Sequence, residues 1–279
     1  MGHTGGMSTN ERAFAKLTRT LRITGRRDDG YHLIESEMVT LDFADELAFT
    51  ESPESSLAVI DEIAWERSGP AGAEESPPIP TDGSNLVLRA LALAGRTAGV
   101  TLTKRIPAGG GLGGGSADAA AVLRYAGVRD PALAVSLGAD VPFCVVGGRA
   151  MVRGIGEIVE PMSPVALSFV VVTPAFGVST VDAYRAFDEL GAGEGMNDLE
   201  RAAIAVEPRL AVVRDLITGV AKERPVLAGS GSSFFVECAV DRAGLLRDEI
   251  AHAMRADGIV ASVVECAATG PFERARPAV

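Results

Sequence analysis

Aromatic side chains are scarce in this chain of 279 residues: they make up 5% of it, with a single tryptophan, Trp65. An interior built without them has to be filled with Ala, Val, Leu and Ile. Cysteine is scarce too. Cys144, Cys238 and Cys266 are far apart and odd in number, which argues against a disulfide framework, and no CxxC pair or Cys/His cluster is present to hold zinc. They read as reduced, buried thiols of a cytoplasmic protein. No apolar run approaches the ~20 residues of a membrane-spanning helix. The start, "MGHTGGMSTNERAF", lacks the apolar core of a secretory signal and reads as a flexible leader over residues 1–10. Positive charge is also short, with 26 Lys and Arg against 37 Asp and Glu, a net charge of −11. A general binder of nucleic acid or membrane surface is therefore not expected, because both reward clustered cations. A small phosphorylated ligand in a local pocket remains compatible.

Glycine is the residue in excess. The chain has 32, and six of them stand in Pro107–Ala120, "PAGGGLGGGSADAA". Glycine costs backbone entropy and weakens helices and strands, so such a run calls for a reason. The alternating stretch "VTLTKRIP" before it reads as a strand, and the alanine-rich "SADAAAVLRYAG" after it as a helix. A strand, a glycine turn and a helix together make a geometry that holds phosphate. Free N–H groups point into the turn, and the helix start adds positive partial charge. Ser116 suits a phosphate or Mg²⁺ contact, and Asp118 suits a cap or a loop tether. Gly109, Gly111 and Gly114 satisfy G-x-G-x-x-G, but any glycine-rich run would, and the second βα unit of a dinucleotide fold does not follow. A P-loop would need G-K-[ST], which is absent. A triphosphate loop of another fold and a plain linker remain.

The rest of the chain reads as mixed α+β. Strands are expected over Arg12–Gly25, Leu33–Phe43 and Asp45–Thr50, with the Asp-Gly of "RRDDGYH" as a hairpin turn. Glu51–Ser84 is a Ser, Pro, Glu and Gly-rich surface excursion with a short strand near Leu57–Ile60. A helix follows Ser84 or Asn85. "LGADVPFCVVGGRAMVRG" (137–154) reads as a turn and then strands. Beyond a boundary near "EPMSP", the order is strand, three helices, two strands, helix, strand.

Three motifs, in order, carry a resemblance. They are "AKLTRTLRITGRRDDGYH" (15–32), the glycine stretch with "LGADVPFCVVGGRAMVRGIGE" (137–157), and "LAGSGSSFFVE" (227–237). The sequence resembles the GHMP kinase superfamily, and "GRRDDGYH" and "LGADVPF" resemble its branch acting on a cytidyl-diphosphate sugar alcohol in the methylerythritol phosphate route to isoprenoids. The resemblance implies a two-domain α+β architecture. Its first domain, residues 1–161, would be like ribosomal protein S5 domain 2 and bind ATP. Its second, residues 162–279, would be ferredoxin-like. It implies ATP wrapped by Pro107, Gly109, Gly110, Gly111, Leu112, Gly113, Gly114, Gly115 and Ser116, with Mg²⁺ as cofactor and no metal ligands named. Asp140 matches the catalytic base and Lys16 its partner. Tyr31 and His32 match the cytosine-recognising pair. Thr180 and Tyr184 match the lining of that pocket, and Gly229, Ser230 and Gly231 the third motif. The partners implied are ATP and the small-molecule substrate, in a monomer or homodimer, with no nucleic acid or membrane.

Each assignment competes with a plainer one. Asp140 also suits a turn before Val-Pro, Lys16 a snorkelling lysine, His32 a structural hydrogen-bonder and Tyr184 a core residue. Where the family usually carries Asn and then an apolar residue, this chain has Thr18 and Arg19; Arg19 is expected to face solvent or add a phosphate contact. A kinase for another small alcohol, or a silent nucleotide-binding homologue, are the alternatives.

Overall fold

The computed structural model describes residues 9–65 and 79–272. Residues 1–8 of the expected leader and the middle of the Ser/Pro/Glu-rich excursion lie outside them. The chain forms two sheets. The first begins with β1 (Thr9–Thr18), β2 (Arg22–Arg26), β3 (His32–Thr50) and β4 (Ser56–Asp61). Helix α1 (Leu86–Leu93), capped by the Asn85 side chain on the Val87 N–H, leads to β5 (Gly99–Lys104). After the glycine turn come α2 (Gly114–Tyr125), the short α3 (Pro131–Ala134) and α4 (Val141–Val146). Strands β6 (Arg149–Gly154) and β7 (Ile158–Pro161) complete this half. The sheet runs β4-β5-β3-β6-β7, with β1 and β2 also paired to β3, and β4·β5 is its parallel pair.

The second half is β8 (Ser168–Pro174), α5 (Thr180–Leu190), α6 (Glu200–Val206), α7 (Arg209–Ala221), β9 (Val226–Leu227), β10 (Phe234–Cys238), α8 (Val240–Ala256) and β11 (Ala261–Ala267). Its antiparallel sheet has the order β11-β8-β10-β9, the βαββαβ arrangement of a ferredoxin-like unit. β8 is buried along its whole length. Val170 and Val172 face a core shared with α5–α8, whereas Phe169 and Val171 face one shared with Leu17, Leu41 and Leu112 of the first half. A strand covered on both faces reads as a continuous apolar run, as "FVVV" does.

Four expectations are corrected. Thr9 and Asn10 are not leader: they pair with Phe49 and Ala48. The strand expected over Arg12–Gly25 breaks at Arg19–Leu21, where the Arg19 and Thr20 N–H groups both donate to the Glu37 carbonyl. The two strands expected over Leu33–Thr50 are one, β3. Its first part pairs with β2 and β6, its last part with β5, and β1 runs along most of it. Finally, Val141–Val146 is helix rather than strand. Its apolar, β-branched composition suits a strand, but Pro142 stands in its first turn, a position where proline's missing N–H costs nothing.

Candidate active site

Every site residue expected from the sequence lines one cavity of about 1080 Å³. Its floor is the glycine turn. Gly113 caps α2 in the left-handed region (φ 68°), and no side chain caps the first turn. The N–H groups of Gly114, Gly115 and Ser116 precede the first helical bond, from Ala117 to the Gly113 carbonyl at 2.8 Å. Uncapped N–H donors at a helix start make an anion site. Two glycines show why side chains are excluded. At Gly111 (φ 77°) a Cβ would lie 2.2 Å from the Ala228 carbonyl oxygen, and at Gly113 one would lie 2.8 Å from Lys16 Cγ. The first glycine turn thus packs on the second, and the Ser233 N–H donates to the Gly110 carbonyl at 3.0 Å. Leu112 reaches the cavity only through its backbone, since its side chain is in the core. Asp118 does not cap α2.

Lys16 sits where β1 changes register against β3, between Phe14 and Lys16. Such irregularities re-aim side chains. The Lys16 N–H donates to the Leu112 carbonyl (3.0 Å), tying β1 to the turn. Its ammonium lies 3.2 Å from Asp140 Oδ2 and donates to Thr18 Oγ1 at 3.0 Å. Asp140 stands at the N-cap of α4 but spends no side-chain hydrogen bond on capping. Lys16 is 5% exposed and Asp140 31%, so the pair is anchored on one side and open to the cavity on the other.

On another wall, the His32 ring stacks on Tyr184 (centroids 4.8 Å apart, 26° between planes) and meets the edge of Phe187. Tyr31 is 61% exposed beside it. Burial, with a further push from the Asp140 charge, raises the Tyr184 phenol to about 12, so it stays neutral. Thr180 and Ser230 hydroxyls are 2.9 Å apart.

Several residues at the site were not foreseen. Asn197 is buried and donates to the carbonyls of Leu227 and Gly229, both at 2.7 Å, which holds the second glycine turn. Asp188 accepts from His32 Nε2 at 2.7 Å. Its only signal in the sequence is its place one helical turn after Tyr184. Beneath the glycine turn, Lys104 is buried between Asp45 and Asp118, with Asp118 Oδ2 at 2.9 Å. Burial alone would lower the Lys104 ammonium, but the two carboxylates outweigh it and raise it. Burial pushes the Asp118 carboxyl up to about 7, against the pull of Lys104. Asp45 also accepts the N–H groups of Arg105 (2.6 Å) and Ile106 (2.8 Å), which fixes the chain entering the turn. Arg19 neither faces open solvent nor lines the cavity. It bridges Glu37 on β3 and Glu237 on β10, the latter at 2.6 Å, and so joins the two sheets.

A glycine turn opening an uncapped helix, in a chain whose second half is ferredoxin-like, makes a phosphate site, and comparison with known proteins identifies its class as the GHMP kinases. The model of the GHMP kinases N terminal domain matches residues 85–148, from the cap of α1 to two residues past α4. A 4-diphosphocytidyl-2-C-methyl-D-erythritol kinase of Paracoccus denitrificans is 36% identical over 246 residues, covering 81% of this chain and 85% of that one. A kinase of the same name from a Polaromonas species is 37% identical, covering 79% and 80%. A crystal structure of 4-(cytidine 5'-diphospho)-2C-methyl-D-erythritol kinase superposes with a TM-score of 0.69 at 32% identity, over 94% of this chain and all of the other. The Methanococcus jannaschii mevalonate kinase shares the fold, with a TM-score of 0.58 at 11% identity. The chain belongs to the family of 4-diphosphocytidyl-2-C-methyl-D-erythritol kinases and is a small-molecule kinase.

Proposed function

We propose that the chain transfers the γ-phosphoryl group of ATP to a hydroxyl of 4-diphosphocytidyl-2-C-methyl-D-erythritol, in isoprenoid precursor biosynthesis in the cytoplasm. The observation that carries this is the Lys16–Asp140 pair, 3.2 Å apart beside the uncapped start of α2 in the same cavity as His32 and Tyr184. An alcohol is a poor nucleophile until its proton leaves. Asp140 accepts that proton as general base. The freed oxygen forms the new O–P bond, the bond from the γ-phosphorus to its bridging oxygen breaks, and ADP departs. Lys16 keeps Asp140 ionised and offsets charge on the transferring group. Thr18 holds the ammonium in line.

The triphosphate lies on the N–H groups from Gly109 to Ser116, and the Gly229–Gly231 turn closes over the phosphates and the substrate. His32 and Tyr31 recognise the cytosine, with Tyr184 and Thr180 lining its pocket. Mg²⁺ bound with ATP supplies charge neutralisation on the phosphates. Ser116 Oγ, in the first turn of α2 and without a hydrogen bond to another described residue, is the protein oxygen that fits it. Among the described residues no group of three acidic, His or Cys side chains offers an all-protein cage, which suits an ion held mainly by phosphate. We read the chain as two domains, 1–161 and 162–279, supported by the separation of the two sheets at Pro161 and Ser168.

The test is ADP release by the purified chain with ATP, Mg²⁺ and a panel of alcohols. Turnover with the cytidyl-diphosphate substrate, and little with homoserine or mevalonate, is expected. Turnover confined to another alcohol would overturn the substrate, and ATP binding without any turnover would indicate a silent homologue.

A further inference from the structure

Asp188 has no part in the chemistry above, yet it is the carboxylate on which two walls of the cavity converge. It lies on α5, one turn after Tyr184. Its Oδ1 is 2.7 Å from His32 Nε2 at the start of β3, and its Oδ2 is 3.3 Å from a guanidinium nitrogen of Arg26 at the end of β2. Arg26 in turn donates to the Gly30 carbonyl at 3.1 Å, inside the turn that carries Tyr31. The His32 ring is therefore fixed on three sides: by the Tyr184 face, the Phe187 edge and the Asp188 oxygen. Only 10% of the His32 side chain is exposed, against 35% for Asp188.

An ionised carboxylate accepts and cannot donate. The hydrogen between the two groups therefore belongs to Nε2. In the neutral ring this leaves Nδ1 as an acceptor, and Nδ1 has no hydrogen-bond partner among the described residues. An acceptor at that point pairs with an amino group and repels a carbonyl. Cytosine and uracil differ at ring position 4, where one carries an exocyclic amino group and the other a carbonyl oxygen, so a base bound with that edge toward Nδ1 would be told apart by it.

We propose that Asp188 is a positioning residue that locks His32 as its Nε2–H tautomer, and through it makes the cavity prefer an amino-bearing pyrimidine over a carbonyl-bearing one. This rests on the reading that the cavity takes a cytidyl group. Asp188→Asn keeps the shape but can present either an oxygen or an NH₂ to the ring, so the tautomer is no longer imposed. Asp188→Glu retains a carboxylate and restores part of the effect.

Two measurements test this on the full chain. The first is ¹⁵N NMR of the His32 imidazole at alkaline pH, which needs no substrate. Nε2–H is expected in the wild type, and a mixture in Asp188→Asn. The second is KM and kcat with the cytidyl-diphosphate substrate and its uridyl counterpart. The variant is expected to lose about tenfold of its preference for the cytidyl form, on the order of one good hydrogen bond, chiefly through KM. A wild-type ring protonated at Nδ1, or a tautomer unchanged in the variant, overturns the proposal. So does a changed tautomer with intact base preference. If the wild type turns over neither pyrimidine substrate, the cytidyl reading fails and takes the selectivity with it. The NMR result then still decides whether Asp188 sets the tautomer.

Discussion

Two lysines line the same cavity, each beside an aspartate, and they differ in what surrounds the carboxylate. Lys16 meets one aspartate, Asp140, which is about a third exposed and spends nothing on its own helix. Lys104 is enclosed by two, Asp45 and Asp118, which are 0% and 5% exposed. Asp45 is further occupied by two backbone N–H groups. The first carboxylate has room to take a proton from a ligand. The second set is walled in and holds β3, β5 and α2 together under the glycine turn. Residue types alone do not separate a pair placed to react, as proposed for Lys16 and Asp140, from a structural one. The separation lies in which partner keeps an open side.

Substitutions at either pair probe this difference. The largest effect is expected at the enclosed cluster. Lys104→Met leaves two buried carboxylates without their cation, and breaking a buried pair in this way costs about 3–5 kcal/mol. Urea unfolding should show that loss; a midpoint close to wild type would mean the cluster is not structural.

Asp118→Asn should act next, through pH. In the folded chain Asp118 is raised to about 7, from an unfolded value near 4. The folded state therefore holds more protons than the unfolded one between those values, and stability contributed by the protonated group is lost as pH rises through that window. Relative to Asp118→Asn, the wild type should lose stability from about pH 4 to pH 7. Parallel stability curves for the two proteins would remove Asp118 from the account.

The smallest effect is expected at Thr18→Val, which deletes one hydrogen bond to the Lys16 ammonium. A hydrogen bond to a charged group is worth about 1.5–3 kcal/mol, and part of it is recovered from Asp140 and solvent. The expected result is a several-fold drop in kcat with ATP affinity kept. An unchanged kcat would show that Lys16 is oriented by Asp140 alone.

Much of the site was legible because its parts come in short contiguous motifs. The glycine stretch, the "GYH" turn, "LGADVPF" and "GSGSS" each carry their residues within a few positions, and all converge on one cavity. What escaped was pairing across the chain. Asp188 is 156 positions from His32, and Asp45 is 59 from Lys104; no local pattern announces such partners. Arg19 was misread for the same reason, since its carboxylates lie on β3 and β10. The helix at Val141–Val146 was missed because its apolar β-branched run favours a strand, while Pro142 and the preceding turn decide otherwise. The second sheet was easier. Its strands and helices alternate in an order that leaves few topologies open.

Asp140, held by Lys16, is proposed to take the proton from the alcohol. The most direct measurement is single-turnover phosphoryl transfer by Asp140→Asn beside the wild type, with ATP affinity determined for both. Asparagine keeps the shape but cannot serve as the base. Transfer is expected to slow by about 10²–10⁴-fold while ATP affinity stays close to that of the wild type. Transfer at the wild-type rate would contradict the claim.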